Sequence, residues 1–205
     1  MRLGEAVDRS DSVGEGEVRT RWARPGDAAV VGRLFEQEAR YHRQLLTTFD
    51  LAEDFDWTAM VTGLIGRSGV RIVVAECDGE VIGFAYGRVL GTSEGPGTQG
   101  EPPLGLRRLA RSLIDRLRSR PATPQGSAQK VRPHPRGIIE DCWVEAHHRR
   151  RGVAQRMVEA LLEWMVARGV PRVELSVVAS NEGAVALWRE LGFEPLRHVL
   201  HRVVR

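Results

Sequence analysis

Apolar residues in the N-terminal part of the chain recur first at the period of a strand and then at the period of a helix. Residues 18–22 have a short strand pattern, and Asp27 precedes a segment whose apolar positions repeat every three to four residues, namely Val30, Val31, Leu34 and Phe35. Asp27 is expected to cap that helix through its side chain. A second helix is predicted at residues 57–65.

Two β-branched-rich runs follow, at residues 71–76 and 81–90, and Asp78-Gly79 lies between them. An Asp-Gly pair supplies the two positive-φ positions that a tight turn between antiparallel strands requires. The pattern predicts a β-hairpin.

After Leu90 the composition changes, because residues 91–103 and 121–135 are rich in Gly, Pro, Ser and Gln. Such stretches are typical of linkers. Between them, residues 106–117 place leucine, isoleucine and alanine on one helical face and arginines on the other. We interpret residues 91–136 as an insertion carrying a basic amphipathic helix, which packs on the parent domain or a partner subunit, or binds nucleic acid or an anionic membrane surface.

The remainder of the chain alternates between the two patterns. Strands are predicted at residues 138–144 and 172–178, helices at 152–168 and 182–191, and one or two terminal strands at 193–204. This alternation implies an α/β architecture in which helices pack on a sheet.

Composition excludes several other classes of protein. The net charge of +3 is too small to indicate a nucleic-acid binder by itself. Cys77 and Cys142 have neither disulfide nor metal-site spacing, and no apolar run reaches the roughly 20 residues of a membrane span. With residues 1–17 taken as a flexible tail, residues 18–205 are expected to form one cytoplasmic catalytic domain without a metal.

The segment between the strand predicted at residues 138–144 and the long helix predicted at 152–168 is suited to phosphate binding. Its sequence is Arg149-Arg150-Arg151-Gly152-Val153-Ala154. The first N–H groups of a helix have no partner within it, and small residues there let a phosphate approach the backbone. A P-loop is excluded because the only lysine is Lys130, and a dinucleotide fingerprint would need three spaced glycines.

This segment resembles the Gln/Arg-x-x-Gly-x-Gly/Ala motif of the GNAT superfamily of acyl-CoA-dependent N-acyltransferases. A second segment resembles that superfamily's Asn-x-x-Ala-x-x-Leu-Tyr-x-x-x-Gly-Phe motif through Asn181, Ala184, Leu187, Trp188, Gly192 and Phe193. The resemblance implies a mostly antiparallel sheet splayed open between its fourth and fifth strands, with helices on both faces. It also implies that acetyl-CoA is the acyl donor.

The resemblance further implies which residues bind the acyl donor. Pantetheine would lie in the opening of the sheet, the diphosphate on the loop before the helix, and a third contact would come from the second motif. The residues so identified are Cys142, Trp143, Val144, Arg149, Arg150, Arg151, Gly152, Val153, Ala154, Asn181 and Trp188.

Two adjacent carboxylates on the strand predicted at residues 138–144 are candidates for the catalytic base. Strict alternation of side chains would send Glu140 and Asp141 to opposite faces of the sheet. Glu140 is favoured because it shares parity with Val144 and matches the glutamate used by some GNAT relatives. A solvated or salt-bridged strand carboxylate is the alternative interpretation of Glu140.

Other residues are relevant to the general acid of the reaction and to the acceptor pocket. Trp188 occupies the position at which many GNAT relatives have tyrosine. An indole N–H does not ionise near neutral pH and so cannot act as a general acid. We therefore expect Trp188 to be a packing residue beside the cofactor. The acidic run of residues 50–56 would favour a cationic amine, and Tyr41 and His42 are further candidates for lining the acceptor pocket. His147 and His148 are expected to be exposed turn residues.

The leading hypothesis is an N-acetyltransferase that acts on a primary amine of a small molecule or peptide by direct attack in a ternary complex. A noncatalytic acyl-CoA sensor is the alternative, motivated by Trp188 and by Ser176, where relatives that acetylate protein N-termini have glutamate. Acetylation of an aminoacyl-tRNA amine, guided by the basic insertion, is a third. A homodimer is compatible with each hypothesis.

Overall fold

The structure, a computed structural model, describes residues 17–46, 50–91 and 135–200. Within these ranges the five strands are β1 (Arg19–Trp22), β2 (Val70–Cys77), β3 (Glu80–Leu90), β4 (Arg136–Val144) and β5 (Val173–Glu174). The α-helices are α1 (Ala28–Leu45), α2 (Trp57–Leu64), α3 (Val153–Val166) and α4 (Glu182–Glu190). The strands form one sheet in the order β1-β2-β3-β4-β5, antiparallel except for the parallel β4–β5 pair. The expected mixed α/β architecture is confirmed.

The β2–β3 hairpin is confirmed at the predicted turn. Asp78 and Gly79 have φ values of 52° and 84°. Positive φ at both central residues is the conformation of a two-residue turn whose twist matches that of the flanking strands.

Helices cover both faces of the sheet. On one face α1 and α2 enclose a core that includes Leu34, Phe35, Phe84 and Tyr86. On the other face α3 packs on alternate residues of β2, β3 and β4 through side chains such as Met157. The described helices do not include one both long and apolar enough to cross a bilayer.

The predicted side-chain cap at Asp27 is wrong. A short 3-10 turn, Pro25–Asp27, precedes α1, and Asp27 makes no side-chain cap to that helix. Its carboxylate instead accepts hydrogen bonds from Arg21 Nη1 at 2.7 Å, from Arg21 Nη2 at 3.0 Å and from the Arg24 backbone N–H at 2.6 Å. The ion pair with Arg21 is favoured over a helix cap because the guanidinium donates to both oxygens of a buried carboxylate at once.

We expect the Asp27→Asn variant to unfold about 2 kcal/mol more easily than the wild type at pH 7, since charged hydrogen bonds are lost. The hydrogen bonds from Arg21 lower the pKa of Asp27 in the folded protein. The stability that they add is therefore present above the pKa of an unfolded aspartate and is lost as the pH falls through the lower, folded value. In urea titrations at pH 7 and pH 3, the difference between the two proteins should shrink at pH 3; an equal difference would contradict this account.

The sheet opens between β4 and β5. Only Gly137↔Val173 and Ile138↔Glu174 are paired, and residues 175–178, predicted as strand, are not. The closed end is held by Glu174, whose carboxylate forms ion pairs with Arg136, Arg172 and Arg197 at 3.3, 3.0 and 2.7 Å. The predicted splay between the fourth and fifth strands is confirmed, and the fifth strand is shorter than expected because only its first residues reach β4.

The end of the chain differs from the expectation. Residues 193–200 contain no strand, so the prediction of terminal strands is wrong over that range, and residues 201–205 lie outside the described residues. Residues 1–16 of the tail predicted at 1–17, and the basic helix predicted at 106–117, also lie outside them.

Candidate functional site

The start of α3 is open to a ligand. Gly152, its N-terminal flanking residue, has a φ of 71° and provides no side-chain cap, and the first turn has no acidic residue. A Cβ atom added at Gly152 would meet nothing within 4 Å. The leading N–H groups of the helix have no side-chain cap, and together with the helix dipole they suit an anion such as a diphosphate.

The three loop arginines do not share one role. Arg149 Nε donates to the Val144 carbonyl at 2.7 Å, and its guanidinium lies 4.4 Å from the centre of the Trp143 ring. This side chain is therefore turned back onto the end of β4. Arg150 and Arg151 are exposed on the loop and contribute positive charge beside Gly152.

The side chains of Cys142 and Trp143 are held by the protein on opposite faces of β4. Cys142 packs against the α3 core, and burial raises the pKa of its thiol. Trp143 packs against the α1 core, and its Nε1–H donates to Gln37 Oε1 at 3.3 Å. A ligand lying between β4 and β5 would meet these residues through their main chain.

A β-bulge changes the surroundings of the two candidate bases. Tyr86 is opposite Asp141 and Gly87 is opposite Ile139, so Glu140 is the extra residue of β4. The bulge removes the strict alternation on which the choice between Glu140 and Asp141 was based.

Glu140 is paired with a cation. Its Oε1 accepts a hydrogen bond from Arg88 Nε at 2.5 Å, and the two side chains are only 10% and 15% exposed. Both Glu140 and Asp141 are close enough to Tyr86 for their charges to add to the effect of burial, which raises the pKa of that phenol. The charges of both carboxylates therefore act on the same phenol, that of Tyr86.

Glu38, which is not among the residues predicted for the site, is the most buried carboxylate among the described residues. Its side chain comes from α1, the residue is 3% exposed, and Oε2 has no hydrogen-bond partner among the described residues. Burial, followed by the charge of Asp141, raises the pKa of Glu38 well above its usual value, while a hydrogen bond from the Cys142 N–H acts in the opposite direction. A signal was available, because Glu38 follows Leu34 and Phe35 by four and three residues and so lies on the apolar face of α1.

The second motif lies across the opening from α1. Asn181 caps α4 by accepting from the Ala184 N–H at 3.3 Å, and its Oδ1 is 3.5 Å from the Tyr41 hydroxyl. Trp188 packs against the α3 core and meets Phe193 edge to face, with ring centres 5.5 Å apart. The Trp188 side chain is thus a packing element beneath the site.

The residues of the acidic run make local contacts. Asp56 caps α2 by accepting from the Ala59 N–H at 2.8 Å, and Asp50 is exposed, 3.8 Å from Arg43.

On the turn before the phosphate loop, ligand atoms of Glu145, His147 and His148 lie within 4.8 Å of one another. A divalent cation would find three donors there, although His147 is largely exposed and could also pair with Glu145 across 3.8 Å.

Comparison with known proteins identifies the family. Residues 32–193 match the model described as "Acetyltransferase (GNAT) family". The chain belongs to the GNAT family. This membership agrees with the open β4–β5 edge and with the uncapped start of α3.

Individual relatives of this GNAT protein are distant. The uncharacterized N-acetyltransferase YobR of Bacillus subtilis (strain 168) is 30% identical over 69 residues, which are 34% of this chain and 28% of YobR. A tetramutant of BH1408 from Bacillus halodurans superposes with a TM-score of 0.67 at 16% identity, over 91% of this chain and 99% of that one. The aminoglycoside N-acetyltransferase AAC(6')-Iy in complex with CoA gives 0.58 at 16% identity, over 94% and 98%. At these identities the solved structures establish the fold.

Proposed function

We propose that this GNAT protein transfers the acetyl group of acetyl-CoA to a primary amine of a small molecule or peptide, with both substrates bound together. The observation that carries the proposal is the combination of an uncapped helix start at Gly152 with a β4 edge that leaves β5 after two residue pairs. The first feature suits a diphosphate and the second suits an extended pantetheine chain. Family membership and the CoA complex of AAC(6')-Iy support the choice of donor.

Acetyl-CoA supplies an activated thioester, and the protein's residues would bind and orient it. N–H groups of residues 152–154 would hold the diphosphate, and the main chain of residues 142–144 would hold the pantetheine. Binding both reactants side by side removes much of the entropic barrier, by up to about 7–11 kcal/mol in favourable cases.

Glu140 is the proposed base of the transfer. The amine nitrogen forms a bond to the thioester carbonyl carbon, the carbon–sulfur bond breaks, and the amine proton passes to the carboxylate directly or through water. The hydrogen bond from Arg88 fixes the orientation of Glu140. The thiolate leaves unprotonated or takes a proton from water, since Trp188 cannot act as an acid.

The noncatalytic sensor remains a second proposal, and the packed Trp188 favours it because no phenol occupies that position. Thiol release from acetyl-CoA in the presence of a panel of primary amines separates the two. An acetyltransferase should release CoA at a rate that depends on the amine and yield an acetylated product. Binding of CoA at micromolar concentration without thiol release on any amine would establish the sensor instead.

A further inference from the structure

Glu38 is not among the residues proposed to bind the donor, but it lies beside Cys142 on the stretch of β4 where the pantetheine is proposed to run. It projects from α1 toward β4, at the level where β4 no longer pairs with β5. A carboxyl group that is 97% removed from solvent usually has every oxygen satisfied. Its unpartnered Oε2 is therefore a buried acceptor for which the described residues offer no donor.

The neighbours of Glu38 form two facing pairs between α1 and β4. Glu38 and Tyr41 are three residues apart on α1, and Asp141 and Trp143 are two residues apart on β4, so each pair shares one face of its element. Glu38 senses the charge of Asp141, and the Tyr41 ring lies 5.6 Å from that of Trp143. The contact between α1 and β4 thus has an acidic end and an aromatic end.

The aromatic end adjoins the residues predicted to bind the donor. Arg149 stacks on Trp143, and the Tyr41 hydroxyl is 3.5 Å from Asn181 Oδ1. A contact of that length holds the Tyr41 ring weakly. Tyr41 and Trp143 are also only half-buried, so part of each ring is accessible to a ligand.

We propose that Glu38 and Asp141 form the subsite for the ammonium group of the acceptor, and that the acceptor is a cationic primary amine. An ammonium group brings the donor that Oε2 lacks, and its positive charge favours the ionised form of Glu38 beside Asp141. Tyr41 and Trp143 line the path of the carbon chain, a position in which their ring faces favour a passing cation. This subsite rests on the proposed function, because the ammonium group gives one proton to a carboxylate of the subsite and the neutral amine that results then attacks acetyl-CoA.

The test compares butylamine, which is protonated at neutral pH, with butan-1-ol, its neutral counterpart, in calorimetric titrations of the CoA-loaded protein. Wild-type protein should bind butylamine, and Glu38→Gln should weaken that binding by about 10- to 100-fold, as expected when a charged hydrogen bond is lost. Binding of butan-1-ol should be the same in both. Glu36→Gln, two residues away and paired with exposed Arg40, is the matched control and should bind butylamine as the wild type does.

Thermal unfolding shows whether a variant that binds butylamine weakly is still folded. Glu38→Gln should melt at the wild-type temperature or higher, because a neutral amide replaces a buried carboxyl group and can still accept from the Cys142 N–H. Glu38→Leu is a second variant that should also fold and should bind butylamine no better than Glu38→Gln.

The possible failures are distinguishable. Equal butylamine affinity in wild type and Glu38→Gln, or no butylamine binding by wild-type protein that has bound CoA, would overturn the subsite while leaving the proposed function standing. A wild-type protein that binds no CoA would remove the proposed function and this subsite together.

Discussion

The Gly152→Glu variant is expected to lose measurable CoA binding, with an affinity at least about 100-fold below that of the wild type, because a buried or closely approached like charge costs several kcal/mol. The new carboxylate would stand at the N-terminal flank of α3, where the diphosphate is expected and where nothing now lies within 4 Å. Calorimetric titration with CoA measures the effect. Unchanged affinity would rule out this helix start as the donor site.

Backbone strain must be separated from charge in this variant. Gly152 has a φ of 71°, where a residue with a side chain costs roughly 1–2 kcal/mol. Gly169, just beyond the other end of α3, has a φ of 67° and equally open surroundings. Gly169→Glu therefore carries a comparable strain and the same added charge, and it should retain CoA binding. Gly152→Ala, which carries the strain without the charge, should bind CoA more tightly than Gly152→Glu.

The Glu140→Gln variant is expected to lower kcat by about 10²- to 10⁴-fold on any amine that the wild type acetylates, with little change in CoA affinity, because a general base is removed and the donor site is not. Steady-state thiol release with that amine measures the effect. The matched control is Glu76→Gln on β2, which also removes a strand carboxylate paired with an arginine, Arg21 at 2.8 Å. That variant should keep the wild-type kcat.

The same series decides between the neighbouring carboxylates. Asp141→Asn should mainly raise KM for a cationic amine, since we place Asp141 in the acceptor subsite. A wild-type kcat in Glu140→Gln together with a collapsed kcat in Asp141→Asn would transfer the role of base to Asp141. Chemical denaturation should accompany these measurements, because loss of one partner of a mostly buried ion pair costs about 3–5 kcal/mol.

Features set by local sequence were predictable. The Asp78-Gly79 turn needs positive φ at two adjacent residues, and both residues adopt it. The uncapped helix start followed from a glycine between an arginine run and an apolar helix. These features depend on neighbours along the chain, which a sequence displays directly.

Features that depend on contacts between distant segments were not predictable. Asp27 lies where a helix cap belongs, but Arg21 on β1 takes both of its oxygens. The bulge at Glu140 arises from the pairing of β4 with β3, and its position decides how the two candidate bases are arranged. Glu38 could have been noticed as an acid on an apolar helix face, but its nearness to Asp141 required the packing of α1 on β4.

The most direct measurement is a crystal structure of the protein with acetyl-CoA. The account predicts diphosphate oxygens about 3 Å from the main-chain nitrogens of residues 152–154, at hydrogen-bonding distance. It also predicts a pantetheine chain between β4 and the segment after Glu174. A diphosphate bound away from the start of α3, or a β4 edge closed against residues 175–178 with the donor elsewhere, would contradict it.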